Sequence, residues 1–178
     1  MSNGKPIQRN GRVRMITFSA MLTALSVVIG YICKTIPALN FGVGLRVTFE
    51  NFPIVLAGML FGPLIGGCVG CIADLLSCLL SGQAPLPFVL VGSIAVGVVA
   101  GISAKYIVRR KGILRIAVSE ALAHLVGSMT IKTVALYFVF GPVVIFRIPI
   151  GVGILIVEIF LLCMIYKNKT IRKLIGWE

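Results

Sequence analysis

The sequence predicts an all-α membrane protein with six transmembrane helices and both chain ends in the cytoplasm. Of its 178 residues, 58% are hydrophobic and the mean hydropathy is +1.07, whereas soluble domains are about 45–50% apolar. The apolar runs approach the ~20 residues that cross a bilayer core. Most of the 17 lysines and arginines cluster in residues 5–14, 105–115 and 167–173, at the ends of apolar runs. This is the positive-inside pattern, so the net charge of +12 does not indicate nucleic-acid binding.

The predicted organisation is one membrane domain, residues 15–166, between a basic cytoplasmic tail at 1–14 and another at 167–178. The first apolar run, 15–33, lacks a small-residue cleavage site, so we interpret it as a retained helix rather than a signal peptide. Ala20 and Ala24 form a small-residue stripe on this helix. Such a stripe serves either packing within the molecule or docking of a partner protein.

A helical hairpin is predicted for residues 45–80, where two apolar runs meet at Phe61-Gly62-Pro63. Glycine relaxes the backbone there, and proline is tolerated in the first turn of the second helix but not inside the first. The polar, proline-bearing link 34–44 and the second link 81–87 are expected outside the bilayer, because irregular backbone is not tolerated against lipid.

Three further spans complete the prediction, at residues 88–108, 113–140 and 148–166. The first is rich in glycine and alanine, which predicts close helix contact. The second is the most polar span, with Glu120 and His124 one turn apart in its inner half. The third carries Glu158 near its middle.

Charged residues near the outer half of the spans need an explanation, because an ionised side chain at membrane depth costs about 3 kcal/mol or more. Depths estimated from a helical rise of about 1.5 Å per residue place five of them together. They are Arg46, Glu50, Asp74, Lys132 and Arg147. We expect them around one cavity that opens outward, a pattern typical of a ligand site rather than a pore.

Each charge also has a purely structural interpretation. The structural alternatives are an i,i+4 pair of Arg46 with Glu50, a helix-joining pair of Asp74 with Lys132, an interfacial anchor at Arg147 and a polar contact of Glu158 with His124.

No catalytic or metal-binding motif is evident. The sequence has no Walker-type loop, no HExxH and no supported Ser/His/Asp set, so we expect no enzymatic activity. Cys68 and Cys71 share a helix face, but the chain has one histidine and no second cysteine pair, so we predict no metal site.

One stretch resembles a known family. Residues 45–76, LRVTFENFPIVLAGMLFGPLIGGCVGCIADLL, are similar to the stretch characteristic of the folate-specific S components of energy-coupling factor vitamin transporters. The segment FRIPIG, 146–151, resembles the Arg-plus-IPI start of the family's last helix, although its surroundings depart from that pattern. The basic-ended, six-helix plan with Ala20-xxx-Ala24 also resembles these proteins.

The resemblance implies a multi-pass subunit of the bacterial plasma membrane that binds a vitamin on the outside. The similarity of residues 45–76 to the folate-specific members implies that this vitamin is folate. Transport then requires a transmembrane coupling subunit and two ATP-binding cassette ATPases, so ATP is used by the partners and this chain needs no cofactor. The family is thought to deliver its ligand by toppling in the membrane. The Ala20/Ala24 stripe would contact the coupling subunit.

Folate chemistry suits the predicted site. Asp74 or Glu50 would accept hydrogen bonds from the pterin edge. Arg46, Arg147 or Lys132 would bind the carboxylates of the glutamate tail. Phe49 and Phe88 are candidates for stacking walls.

Other functions stay open at this point. Pantothenate, riboflavin and thiamine are alternative vitamins. From another class, a small transporter driven by an ion gradient would use Asp74, Glu158 and His124 as a proton path. A structural membrane subunit without a ligand is a third alternative.

Overall fold

The computed structural model describes residues 7–36, 47–107 and 112–167, and its regular structure there is entirely helical. Arg46, most of the predicted link 34–44, and residues 1–6 and 168–178 of the two tails lie outside these ranges. The α-helices are α1 Ile7–Thr35, α2 Asn51–Phe61, α3 Pro63–Leu80, α4 Pro87–Ile102, α5 Ile113–Ala123, α6 Thr133–Phe140 and α7 Arg147–Lys167.

These helices form six rods in the described part of the chain. The π-helical segment His124–Lys132 joins α5 to α6 in one continuous rod, and a 3₁₀ segment, Gly141–Phe146, leads into α7. Five rods are long and apolar enough to cross a membrane, and α2, with 11 residues, is the short one. The all-helical membrane fold is therefore confirmed, while the cytoplasmic position of the chain ends stays a prediction.

The hairpin turn is confirmed at its predicted place. Gly62 has φ 95°, a conformation that favours glycine, and its N–H donates to the Gly58 carbonyl at 2.9 Å. Pro63 then begins α3. The first half of the hairpin is shorter than predicted, because residues 47–49 are not helical and α2 begins only at Asn51. Pro53 explains this start, since proline is tolerated within the first turn of a helix.

The end of α1 corrects a second prediction. Lys34 was expected in an outer link, but α1 runs through Thr35 and places Lys34 in its last turn, where its side chain is buried. The sequence contains no helix breaker between Cys33, the last residue of the apolar run, and Pro37, so the helix continues past that run. A cation that we expected outside the bilayer therefore lies inside the bundle.

Close backbone contact holds the centre of the bundle together. A Cβ at Gly97 of α4 would overlap the Gly66 carbonyl of α3, and one at Gly101 would overlap the backbone of Pro63. The predicted tight packing of the glycine-rich span is thus confirmed. Large apolar side chains cover the outside, as at Leu64 and Phe138, each 83% exposed, which suits contact with lipid.

Candidate functional site

Five buried polar side chains from four rods meet in what we call the charge network. Its members are Lys34 of α1, Glu50 and Asn51 at the start of α2, Asp74 of α3 and Lys132 at the end of the π-helical segment. None is more than 4% exposed. The charge network is therefore formed by tertiary packing rather than within any single helix.

Glu50 is the centre of this network. Its Oε2 atom lies 3.8 Å from Lys34 Nζ, and its Oε1 atom lies 3.6 Å from Lys132 Nζ. Lys132 Nζ also donates to Asn51 Oδ1 at 3.2 Å. One carboxylate therefore bridges two lysines that come from different rods.

Lys34 connects Glu50 to Asp74. Its Nζ atom lies 3.5 Å from Asp74 Oδ1, donates to Ser77 Oγ and is 3.2 Å from Cys78 Sγ. The two carboxylates and two lysines of the network balance in charge. The ion-pair distances exceed the ~2.7–2.9 Å of a short charge-assisted hydrogen bond, so these pairs are loose.

Glycines and a serine on neighbouring helices make room for the network. A Cβ at Gly30 of α1 would lie 2.8 Å from Glu50 Oε2, and one at Gly92 of α4 would overlap Lys132 Cγ. Ser26 Oγ donates to the backbone carbonyl of Glu50 at 2.7 Å, which fixes the start of α2 against α1. Small residues on α1 and α4 thus determine where the charged groups sit.

The structure brings together Glu50, Asp74 and Lys132 of the predicted site. The ion pairs described here join Asp74 to Lys34 and Lys132 to Glu50, which differs from the structural Asp74–Lys132 pair considered from the sequence. Sequence reasoning missed Lys34. The signal was available, because extending α1 toward Pro37 puts Lys34 one helical turn after Gly30 on the same face.

The remaining predicted ligand residues lie in different surroundings. Arg147 begins α7 and is buried, and Phe49 is half-buried beside Glu50. Phe88 is 70% exposed and lines an apolar groove of about 480 Å³ together with Val91 and Phe138. No member of the charge network lines that groove. Arg46 lies outside the described residues, so its role stays a prediction.

The predicted docking stripe is accessible. Ala20 and Ala24 are both exposed on α1. Ala24 lines a groove of about 520 Å³ with Leu25 of the same helix and Leu60 of α2. Within the described residues, a partner helix could therefore approach α1 along the stripe.

A second buried group, which we call the acid–histidine cluster, consists of Glu120, His124 and Glu158. The predicted contact between His124 and Glu158 is confirmed, with Nδ1 3.2 Å from Oε2. Glu120, one turn before His124, joins them, which the sequence alone did not indicate.

Comparison with known families agrees with this architecture. The family described as "ECF transporter, substrate-specific component" matches residues 14–160. A search of curated proteins found no match. The matched family consists of membrane-embedded, substrate-binding transport components and is not an enzyme family. The chain therefore belongs to the substrate-specific component family of ECF transporters and is a substrate-binding subunit of such a transporter.

Proposed function

We propose that the chain binds a vitamin, and specifically folate, at the charge network. The observation that carries this proposal is the bridge formed by Glu50 between Lys34 and Lys132, continued by Lys34 to Asp74. Buried charges must stay paired, because breaking a buried pair by removing one partner costs about 3–5 kcal/mol. A ligand that enters the network must therefore offer replacement partners for both signs of charge.

Folate satisfies this requirement. Its pterin edge presents a 2-amino group and a ring N–H that a carboxylate of Glu50 or Asp74 accepts in bidentate fashion. The 4-carbonyl oxygen of the pterin accepts from Lys34 or Lys132 in exchange for the internal acids. The two carboxylates of the glutamate tail lie beyond the p-aminobenzoyl spacer, too far away to reach the same lysines, so they pair with cations outside the network, for which Arg147 and Arg46 are the candidates. Since the internal ion pairs are loose, the exchange gives up weak contacts for shorter ones.

The other vitamins fit the network less well. Pantothenate is an anion without a pterin edge, so it pairs with the lysines and leaves the acids without partners. Thiamine is a cation, and it pairs with Glu50 or Asp74 while leaving Lys34 and Lys132 unpaired. Riboflavin has neither a 2-amino donor edge for the acids nor a carboxylate for the cations. The donor edge and the anionic tail of folate together therefore rank it first.

Transport follows from the family. The chain delivers its vitamin together with a transmembrane coupling subunit and two ATP-binding cassette ATPases, and these partners rather than this chain bind and hydrolyse the ATP. The exposed stripe of Ala20 and Ala24 supports a docking face on α1. We propose that the bundle topples against the coupling subunit and releases the ligand inside.

Equilibrium binding to the purified, detergent-solubilised chain tests the ligand. Folate, pantothenate, riboflavin and thiamine are titrated separately by calorimetry. We expect saturable binding that is tightest for folate. Tighter binding of another vitamin would contradict the folate proposal and identify that vitamin as the substrate. Absence of binding by all four, together with uptake that needs no ATP, would favour the ion-coupled alternative.

A further inference from the structure

The acid–histidine cluster shares no residue with the charge network and has no role in the proposed vitamin site. Glu120 and His124 lie one turn apart on the α5–α6 rod, and Glu158 approaches from the middle of α7. One potential ligand atom from each residue lies within 4.8 Å of the others. All three side chains are at most 1% exposed.

This cluster is not satisfied by its own contacts. Among the described residues, no hydrogen bond of acceptable geometry reaches the carboxylate oxygens of Glu120 and Glu158 or either ring nitrogen of His124. His124 Nδ1 lies 3.2 Å from Glu158 Oε2. Two neighbouring carboxylates that share one imidazole in a buried site carry a large desolvation penalty. A positive charge at their centre would offset it.

We propose that Glu120, His124 and Glu158 bind one divalent first-row transition metal ion, such as Zn²⁺. Carboxylate oxygen and imidazole nitrogen are both ligands of this class of ion. Two carboxylates balance the charge of the ion, so the occupied site is neutral. With metal–ligand bonds of about 2.0–2.2 Å in a tetrahedral site, ligand atoms lie ~3.3–3.6 Å apart. The three ligand atoms, which lie within 4.8 Å of one another, therefore move closer by side-chain rotation when the ion binds.

The local backbone is suited to such a site. His124 is the first residue of the π-helical segment His124–Lys132, and π-helical insertions occur frequently at functional sites. The same segment ends at Lys132 of the charge network. A metal ion would tie the rod that presents Lys132 to α7, and three protein ligands leave a fourth position for water.

Metal retention by the purified full chain tests the proposal. The protein is incubated with Zn²⁺, freed of excess ion by gel filtration and measured by elemental mass spectrometry. We expect about one Zn²⁺ per chain and, in Glu120→Gln, His124→Gln and Glu158→Gln, a loss on the order of tenfold or more in affinity. Cys68→Ser/Cys71→Ser is the matched control for adventitious thiol binding and should retain wild-type zinc.

Two further readouts keep the test decisive if a variant folds poorly. In the wild-type chain, Zn²⁺ should raise the thermal midpoint, because it binds the folded state. Co²⁺ should give a visible spectrum of nitrogen and oxygen ligands without thiolate bands. Failure of the wild-type chain to retain Zn²⁺, Mn²⁺ or Co²⁺, or wild-type retention by a folded His124→Gln chain, would overturn the proposal. Folate binding is measured in parallel, so loss of one proposal is distinguishable from loss of the other.

Discussion

The two buried polar groups of this bundle differ in how their charges are compensated. In the charge network, Glu50 and Asp74 are interleaved with Lys34 and Lys132, so each acid has a lysine within 4 Å. In the acid–histidine cluster, two acids share a single histidine. The two groups are equally buried but differ in composition: the charge network contains its own opposite charges, whereas the acid–histidine cluster has two acids and one histidine. This difference is the reason that we propose a vitamin site at the first group and a bound cation at the second.

The largest expected effect is a loss of transport from a substitution that touches neither the charge network nor the acid–histidine cluster. Ala20→Trp places a bulky ring on the exposed stripe of α1, which contains none of the buried charges. We expect vitamin uptake in cells to be abolished while vitamin binding to the purified chain is unchanged. Phe160→Trp, at an exposed position of α7, is the control. Normal uptake by the Ala20→Trp chain would remove the docking role of the stripe.

Removing the central acid of the charge network has the next largest effect. Glu50→Leu leaves both Lys34 and Lys132 without their shared carboxylate, at a cost of about 3–5 kcal/mol. For a chain of this size that lowers the thermal midpoint by roughly 6–20 °C. Lys105→Met, which removes an exposed charge, should change it little. Equal midpoints for the two variants would show that the network is not a stabilising unit.

The close packing of α3 against α4 is tested by a matched glycine pair. Gly97→Ala forces α4 away from the Gly66 carbonyl and should cost about 1–3 kcal/mol. Gly153→Ala on α7 meets no atom within 4 Å and should leave stability nearly unchanged. Detergent thermal-unfolding curves compare the two. Indistinguishable curves would contradict the close contact of α3 with α4.

The smallest expected effect comes from a substitution in the acid–histidine cluster, and it compares the two buried groups directly. In metal-free protein, Glu158→Gln removes one of two neighbouring acids and keeps the side-chain shape. We expect stability within about 1 kcal/mol of wild type, or a gain, because an uncompensated buried group is lost. The equivalent isosteric change Glu50→Gln should be clearly destabilising. If Glu158→Gln proved the more damaging change, our description of the two groups would be reversed.

Local features of the fold were predictable from the sequence. The turn at Phe61-Gly62-Pro63, the start of α3 and the close contacts of the glycine-rich α4 follow from residue types at single positions. Hydropathy likewise predicted the long rod that ends at Phe140. These features depend on short stretches of chain, and short stretches are what sequence reasoning interprets well.

The site depended on information that local sequence does not contain. Glu50, Asp74 and Lys132 were grouped correctly by depth, but their pairing required the end of α1, which carries Lys34 into the bundle. The approach of Glu158 to Glu120 depends on how α7 packs against α5. Helix ends and helix packing are tertiary properties, so charge partners are harder to predict than the helices that carry them.

The most direct test of the vitamin site is the folate dissociation constant of three purified chains: wild type, Lys132→Met and Lys105→Met. Methionine keeps an unbranched apolar side chain over Gly92 and removes only the buried charge. We predict folate binding at least tenfold weaker in Lys132→Met, which corresponds to about 1.4 kcal/mol, and unchanged in Lys105→Met. Equal folate affinity in folded wild-type and Lys132→Met chains would contradict the assignment of the charge network as the binding site.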